Sequence, residues 1–243
     1  MGPRSDSVRN ILLIALAACA GAFDAVSYLR LHTFTANMTG NTVLLALWLG
    51  GRHLGEVSHG VTAIACYALG AFLGRLVTGN ADERHPWPAE IIRAFLLEAG
   101  FVVAFAVLWP LLPESQLRIL MLLALGSAAM GTQAAIAHGA HLGSSTTTAM
   151  TGTIARSSEG LAEAAKAGLQ PFPIAKPASW AVYFCAALAV GAFDRMQGDI
   201  RVAAWGVAVV LLAIAFGARH FVHEAPGKAA RKPDGHQTAA SPE

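Results

Sequence analysis

The chain has 243 residues, of which 55% are hydrophobic and only 13% charged, with a formal net charge of +2. A soluble domain carries about 25% charged residues, so this composition excludes an ordinary soluble enzyme, and the small net charge argues against a nucleic-acid partner. The apolar residues fall in blocks near the ~20 residues that cross a bilayer as one helix.

In chain order, the first block is Ile11–Leu29, flanked by Arg9 and Arg30. Leu16-Ala17-Ala18-Cys19 resembles a lipoprotein cleavage box, but the apolar run continues beyond it and is long enough to span, so the segment is expected to stay in the membrane. Next comes Asn37–Gly51, which is apolar but stopped by Arg52, His53 and Glu56. At 1.5 Å per residue it covers roughly 22 Å, short of the ~30 Å hydrocarbon core. It reads as a half-helix entering and leaving from one side, or as a surface helix. Full spans follow at Val61–Gly79, Ala94–Leu112 and Leu117–Ala137. A second short segment, Met150–Gln170, carries Arg156, Glu159, Glu163 and Lys166 and cannot face lipid as a span. Ala178–Phe193 and Val202–Phe216 complete six spans. The fold class is therefore all-α, a polytopic transmembrane helical bundle over residues 1–223, followed by a tail at 224–243 rich in Pro, Gly, Ala, Lys and Ser that is expected to be disordered.

Positive charge sets the orientation. With the N-terminus inside and both short segments re-entrant, twelve Lys and Arg fall on the cytoplasmic side and five (Arg30, Arg52, Arg118, Arg195, Arg201) on the other. The positive-inside rule favours this six-span arrangement over eight spans, and predicts a bacterial inner-membrane protein with both termini cytoplasmic.

Asn37-Met38-Thr39-Gly40-Asn41-Thr42 recurs about 112 residues later as Ala149-Met150-Thr151-Gly152-Thr153-Ile154. Gly21-Ala22-Phe23-Asp24 precedes the first copy and Gly131-Thr132-Gln133-Ala134 the second, and Gly70-Ala71-Phe72 and Gly191-Ala192-Phe193 follow in the same order. The pattern reads as a duplication with repeats at about 8–113 and 114–222. Three spans per repeat would place the halves in opposite orientation, an arrangement recurrent in transporters. Thr39 and Thr151 are suitable helix N-caps, and Gly40 and Gly152 suit a tight backbone turn. Small residues of this kind also serve simple helix packing.

Asp24 lies well inside the first block, where an ionisable group is costly unless it faces the bundle interior. It either serves function or pairs with Arg30. The substrate-path candidates are Asp24, Asn37, Met38, Thr39, Gly40, Asn41, Gln133, Met150, Thr151, Gly152 and Thr153. Arg75 and Asp194-Arg195 at span ends read as interfacial ion pairs. Cys19, Cys66 and Cys185 sit singly in separate blocks, which argues against disulfides. His138/His141 and His220/His223 have no neighbouring ligand partner in sequence, so no metal or other cofactor is expected. Phosphate loops, HExxH, GxSxG and dinucleotide fingerprints are absent from the sequence.

Gly21-x-x-Asp24-Ala25 followed by Asn37-Met38-Thr39-Gly40-Asn41-Thr42 resembles the bacterial YoaK-type membrane proteins, a domain-of-unknown-function family. The likeness runs over roughly residues 10 to 220, with Gly131-x-Gln133 and Thr151-Gly152 as its degenerate second half. Position 134 departs from the resemblance, since Ala134 stands where a polar residue would match Asp24. The resemblance implies an inner-membrane location and a multi-span fold, and no substrate. The leading expectation is a small transporter or channel-like protein for a small solute or ion. The alternatives are a non-transporting accessory protein and an intramembrane enzyme. Its partners are the lipid bilayer and a small-molecule or ion substrate, with self-association left open.

Overall fold

The computed structural model describes residues 3–79, 89–139, 152, 154–155, 158–160, 162 and 175–223. Seven helices have defined bounds: α1 Pro3–Leu31, α2 Met38–Gly50, α3 Leu54–Thr78, α4 Ala89–Leu111, α5 Gln116–Gly139, α6 Ala175–Arg195 and α7 Arg201–His223. No strand occurs among the described residues. Five helices are long and apolar enough to cross a membrane, within α1, α3, α4, α5 and α6. The sixth expected span lies in α7, whose apolar part Arg201–Gly217 is shorter. Helices are the natural outcome here, because a span must satisfy every backbone polar group internally once water is gone.

The helices differ in depth. Windows of α1, α4 and α5 are 61%, 50% and 67% buried, against 22% for α3 and 11% for α6, so the first three form the centre and the others the rim. Leu69, Phe72 and Leu76 on α3, and Phe184, Leu188 and Phe193 on α6, lie exposed on the outside. In water such a surface would aggregate; in lipid it is the expected exterior.

Close packing follows small residues. A Cβ placed on Gly131 of α5 would strike the Tyr67 carbonyl of α3, and one on Gly70 would strike the Ala128 carbonyl. Gly21 of α1 meets the Tyr183 carbonyl of α6 in the same way. Backbones that approach this closely gain dispersion contacts that larger side chains would prevent. The contacts also fix direction. Gln116 at the start of α5 bonds Gly55 and Ser58 at the start of α3, so these two helices run parallel. Asp24–Tyr183 and Arg30–Asp194 show the same for α1 and α6. The equivalence suggested by Gly70 and Gly191 fails at the level of packing: Gly70 sits against backbone, while Gly191 has nothing within 4 Å.

The first Met-Thr-Gly segment forms a hairpin that enters and leaves at one end of the bundle. α1 ends at Leu31, and His32 takes a left-handed φ of 54°, which breaks the helix. The chain then doubles back, since Thr35 and Ala36 reach Asp24, seven residues or ~10 Å up α1 from its end. α2 returns towards that same end of the bundle, where Gly51–His53 turns the chain into α3. At 13 residues α2 is about 20 Å long. In the second segment, Gly152 is helical, and Met150, Thr151 and Thr153 lie outside the described residues, as does the 224–243 tail.

Candidate functional site

The polar residues of the hairpin segment turn inward onto backbone. Asp24 is 3% exposed. Its Oδ1 accepts from the amides of Thr35 (2.9 Å) and Ala36 (2.7 Å), and its Oδ2 accepts from the Tyr183 hydroxyl at 2.7 Å. Asn41 is fully buried, and its side-chain amide clamps Phe34 through both backbone groups, accepting from N at 3.0 Å and donating to O at 2.7 Å. Asn37, not Thr39, caps α2: its Oδ1 accepts from the Gly40 amide at 3.0 Å, and Thr39 is exposed. The cap is displaced because the turn begins one residue before Met38 and brings the Asn37 oxygen over the first free amide. Gly40 lets this happen, since a Cβ there would lie 2.9 Å from Asn37 Nδ2. The Met38 sulfur lies 3.7 Å from Asn41 Nδ2. Asp24 does not pair with Arg30, whose guanidinium binds Asp194 at 2.5 Å instead.

Asp24, Asn37 and Asn41 are therefore brought together as clamps on the 33–37 loop. That loop has a defined neighbour. A Cβ on Gly126 of α5 would meet Thr35 Cγ2 and the rings of Phe23 and Phe105. Phe23 and Phe105 lie 4.8 Å apart, and Phe105 meets Trp109 edge-on at 5.2 Å. The three rings and the loop form one apolar plug between α1, α4 and α5.

Outside the plug is a vestibule. A cavity of about 520 Å³ opens where α1 ends and the α4–α5 and α6–α7 turns meet, with Trp109, Leu122 and Ile200 on its floor. Arg30, Arg118 and Arg201 line it, with Glu114 and Asp199. Arg118 binds Glu114 at 2.9 Å and Arg201 binds Asp199 at 2.6 Å. The Arg201 guanidinium holds the Asp199 carboxyl below the usual carboxylate range.

Inside the plug is Glu98, which the sequence expectations did not include. It lies near the middle of α4, fully buried, and neither carboxylate oxygen has a hydrogen-bond partner among the described residues. Glu98, Val102, Phe105 and Trp109 share one buried face of α4 at helical spacing. Trp109 is eleven residues, ~16 Å, from Glu98. Gln133 stands apart from the loop clamps, donating to the Leu16 carbonyl of α1 at 2.9 Å, two turns below Asp24. No group of three or more His, Cys, Asp or Glu that could hold a metal occurs among the described residues.

The profile of the protein-of-unknown-function family DUF1275 matches residues 12–217, from the first buried turn of α1 into α7. The chain belongs to the DUF1275 family. It is 37% identical over 148 residues to the UPF0700 transmembrane protein YoaK of Bacillus subtilis (strain 168), a match spanning 60% of this chain and 64% of that protein. No solved structure matches. This DUF1275 chain is thus a multi-pass membrane protein, in agreement with its helices and with the relative's description.

Proposed function

We propose that this DUF1275 protein is a small transporter for a solute or ion. The route runs from the arginine-lined vestibule, through the Phe23–Phe105–Trp109 plug, to the centre of the bundle. The observation that carries this reading is Glu98: a carboxyl in mid-span, fully buried and without a hydrogen-bond partner among the described residues. An ionisable group at that depth is too costly to serve packing alone, and such groups mark substrate or ion pathways. An accessory protein held together by polar contacts would resemble Asp24, whose carboxylate is satisfied by its own chain. Asp24, Asn37 and Asn41 act in this scheme by holding the loop that closes the plug.

The paired helices support an inverted duplication. Gly21 meets the Tyr183 carbonyl across α1–α6, and Gly131 meets the Tyr67 carbonyl across α5–α3. Each contact joins the first span of one half to the second span of the other. The positive-inside count favours cytoplasmic termini, which would put the vestibule on the outer face of the inner membrane.

Cysteine accessibility tests the route. Val102 is fully buried between Phe105 and Glu98. With the three native cysteines replaced by alanine, Val102→Cys should react in native membranes with a small, charged, membrane-impermeant thiosulfonate. Trp109→Ala should speed that reaction. A Val102→Cys chain that stays unlabelled in both backgrounds, while a cysteine at exposed Met196 labels, would mean a dry bundle and no route.

A further inference from the structure

We infer that Glu98 is a proton-binding site that is loaded and emptied during function, making the proton the coupling ion. The inference rests on the transport reading above and names the species that its central site takes.

Three observations point to a proton rather than a metal cation or a fixed ion pair. First, neither Glu98 oxygen meets a hydrogen-bond donor among the described residues, so no hydrogen bond there compensates a permanent carboxylate. Charge at this depth without a partner is far more expensive than the neutral acid. Second, a divalent ion needs several oxygen ligands held together, and no second carboxylate joins Glu98 in a group of three or more His, Cys, Asp or Glu among the described residues. A proton needs only one carboxylate oxygen. Third, Glu98 lies about three turns from Trp109 on the same buried face of α4, and Trp109 lines the vestibule. Taking up a proton forms one O–H bond on the carboxylate and changes no other bond. Release returns the proton to water on the opposite face.

The titratable groups around Glu98 leave it dominant at this level. Cys19 of α1 lies near enough to feel its charge and is itself buried. Asp24 and Tyr183 are bonded to each other. Arg118 and His138 stand near the ends of α5, Glu56, His59 and Arg75 near those of α3, Glu90 and Arg93 in the first turns of α4, and Arg201 at the start of α7.

The test is infrared titration of the full-length protein reconstituted in lipid, in potassium buffers, comparing wild type with Glu98→Gln and Glu98→Asp. Wild type should show a protonated-carboxyl C=O band, shifted in D₂O, that disappears reversibly as pH rises. Glu98→Gln should lack it and Glu98→Asp should restore a titrating band. A band that is unchanged across the pH range, that survives in Glu98→Gln, or that responds to sodium instead of pH overturns the inference. Wild type also carries an independent readout. Dicyclohexylcarbodiimide adds the acid O–H across its C=N bond, and the adduct rearranges to a stable N-acylurea without a leaving group. Peptide mass mapping should find that adduct on Glu98, with a yield that falls as pH rises. No adduct at any pH, or a pH-independent yield, contradicts the inference. Labelled Val102→Cys with a non-titrating Glu98 would leave a route that carries no proton, so the two readings fail separately.

Discussion

Asp24 shows how a buried charge can be used to shape backbone. Its carboxylate accepts from two consecutive amides, Thr35 and Ala36, and from two hydroxyls, Tyr183 at 2.7 Å and Thr35 at 3.4 Å. Asp24→Ala leaves those two N–H groups buried and unmet, at about 1–3 kcal/mol each. Tyr183→Phe removes one hydrogen bond to a charged group, about 1.5–3 kcal/mol. Both variants should melt at lower temperature than wild type in mild detergent, and the double variant should lose less than the sum because the two groups share one carboxylate. Strict additivity would mean that the Tyr183 contact is idle. Asp199 gives a prediction at the surface. Its carboxyl is held below the ordinary value by Arg201, so its contribution is complete above about pH 3.9 and is lost as pH falls through its lower folded value. Asp199→Asn should remove that acid-side loss, and the effect should be small because both side chains are about half exposed. Asp24 was legible in the sequence as a lone carboxylate in an apolar block. Its partner Tyr183 was not, because 159 residues separate the two. The rule that marks Asp24 marks Glu98 equally, and applying it to every apolar block would have found it.

At the scale of elements, helix existence followed from apolar block length, and the short segment at 37–51 was correctly too short to span. Its N-cap was misassigned because Asn37 and Thr39 are both good caps, and only the direction of the incoming loop decides between them. Helix contacts were less legible. Gly70 and Gly191 look alike in sequence, yet one meets a carbonyl and the other open space. That difference makes a paired prediction. Gly70→Val and Gly131→Val should force α3 and α5 apart and cost about 1–3 kcal/mol or more. Gly191→Val and Gly206→Val, with nothing within 4 Å, should fold as wild type does. Thermal melting and the yield of monodisperse protein check both halves. Equal damage at all four positions would contradict the packing described. Gly126→Ala belongs to the same class with a different consequence. Its Cβ would press on Thr35 Cγ2 at 2.7 Å, displacing the hairpin loop and raising the labelling rate of Val102→Cys with little loss of stability.

For the whole molecule, the sequence carried the membrane class and the approximate spans, because bilayer thickness imposes a length on every helix. It could not carry the vestibule, which is assembled from α1, α4, α5 and the α6–α7 turn. Nor could it show that the loop clamped by Asp24 lies beside the rings of Phe23 and Phe105, since those groups come from distant parts of the chain. In the proposed route, function depends on one carboxyl, Glu98. The most direct test of that dependence is untargeted metabolite and ion profiling of cells lacking the protein, supplied with empty vector, wild type or Glu98→Gln at matched membrane levels. Wild type should shift the cellular level of at least one small solute or ion, and Glu98→Gln should match the empty vector. Three indistinguishable profiles, or a Glu98→Gln profile that matches wild type, would contradict it.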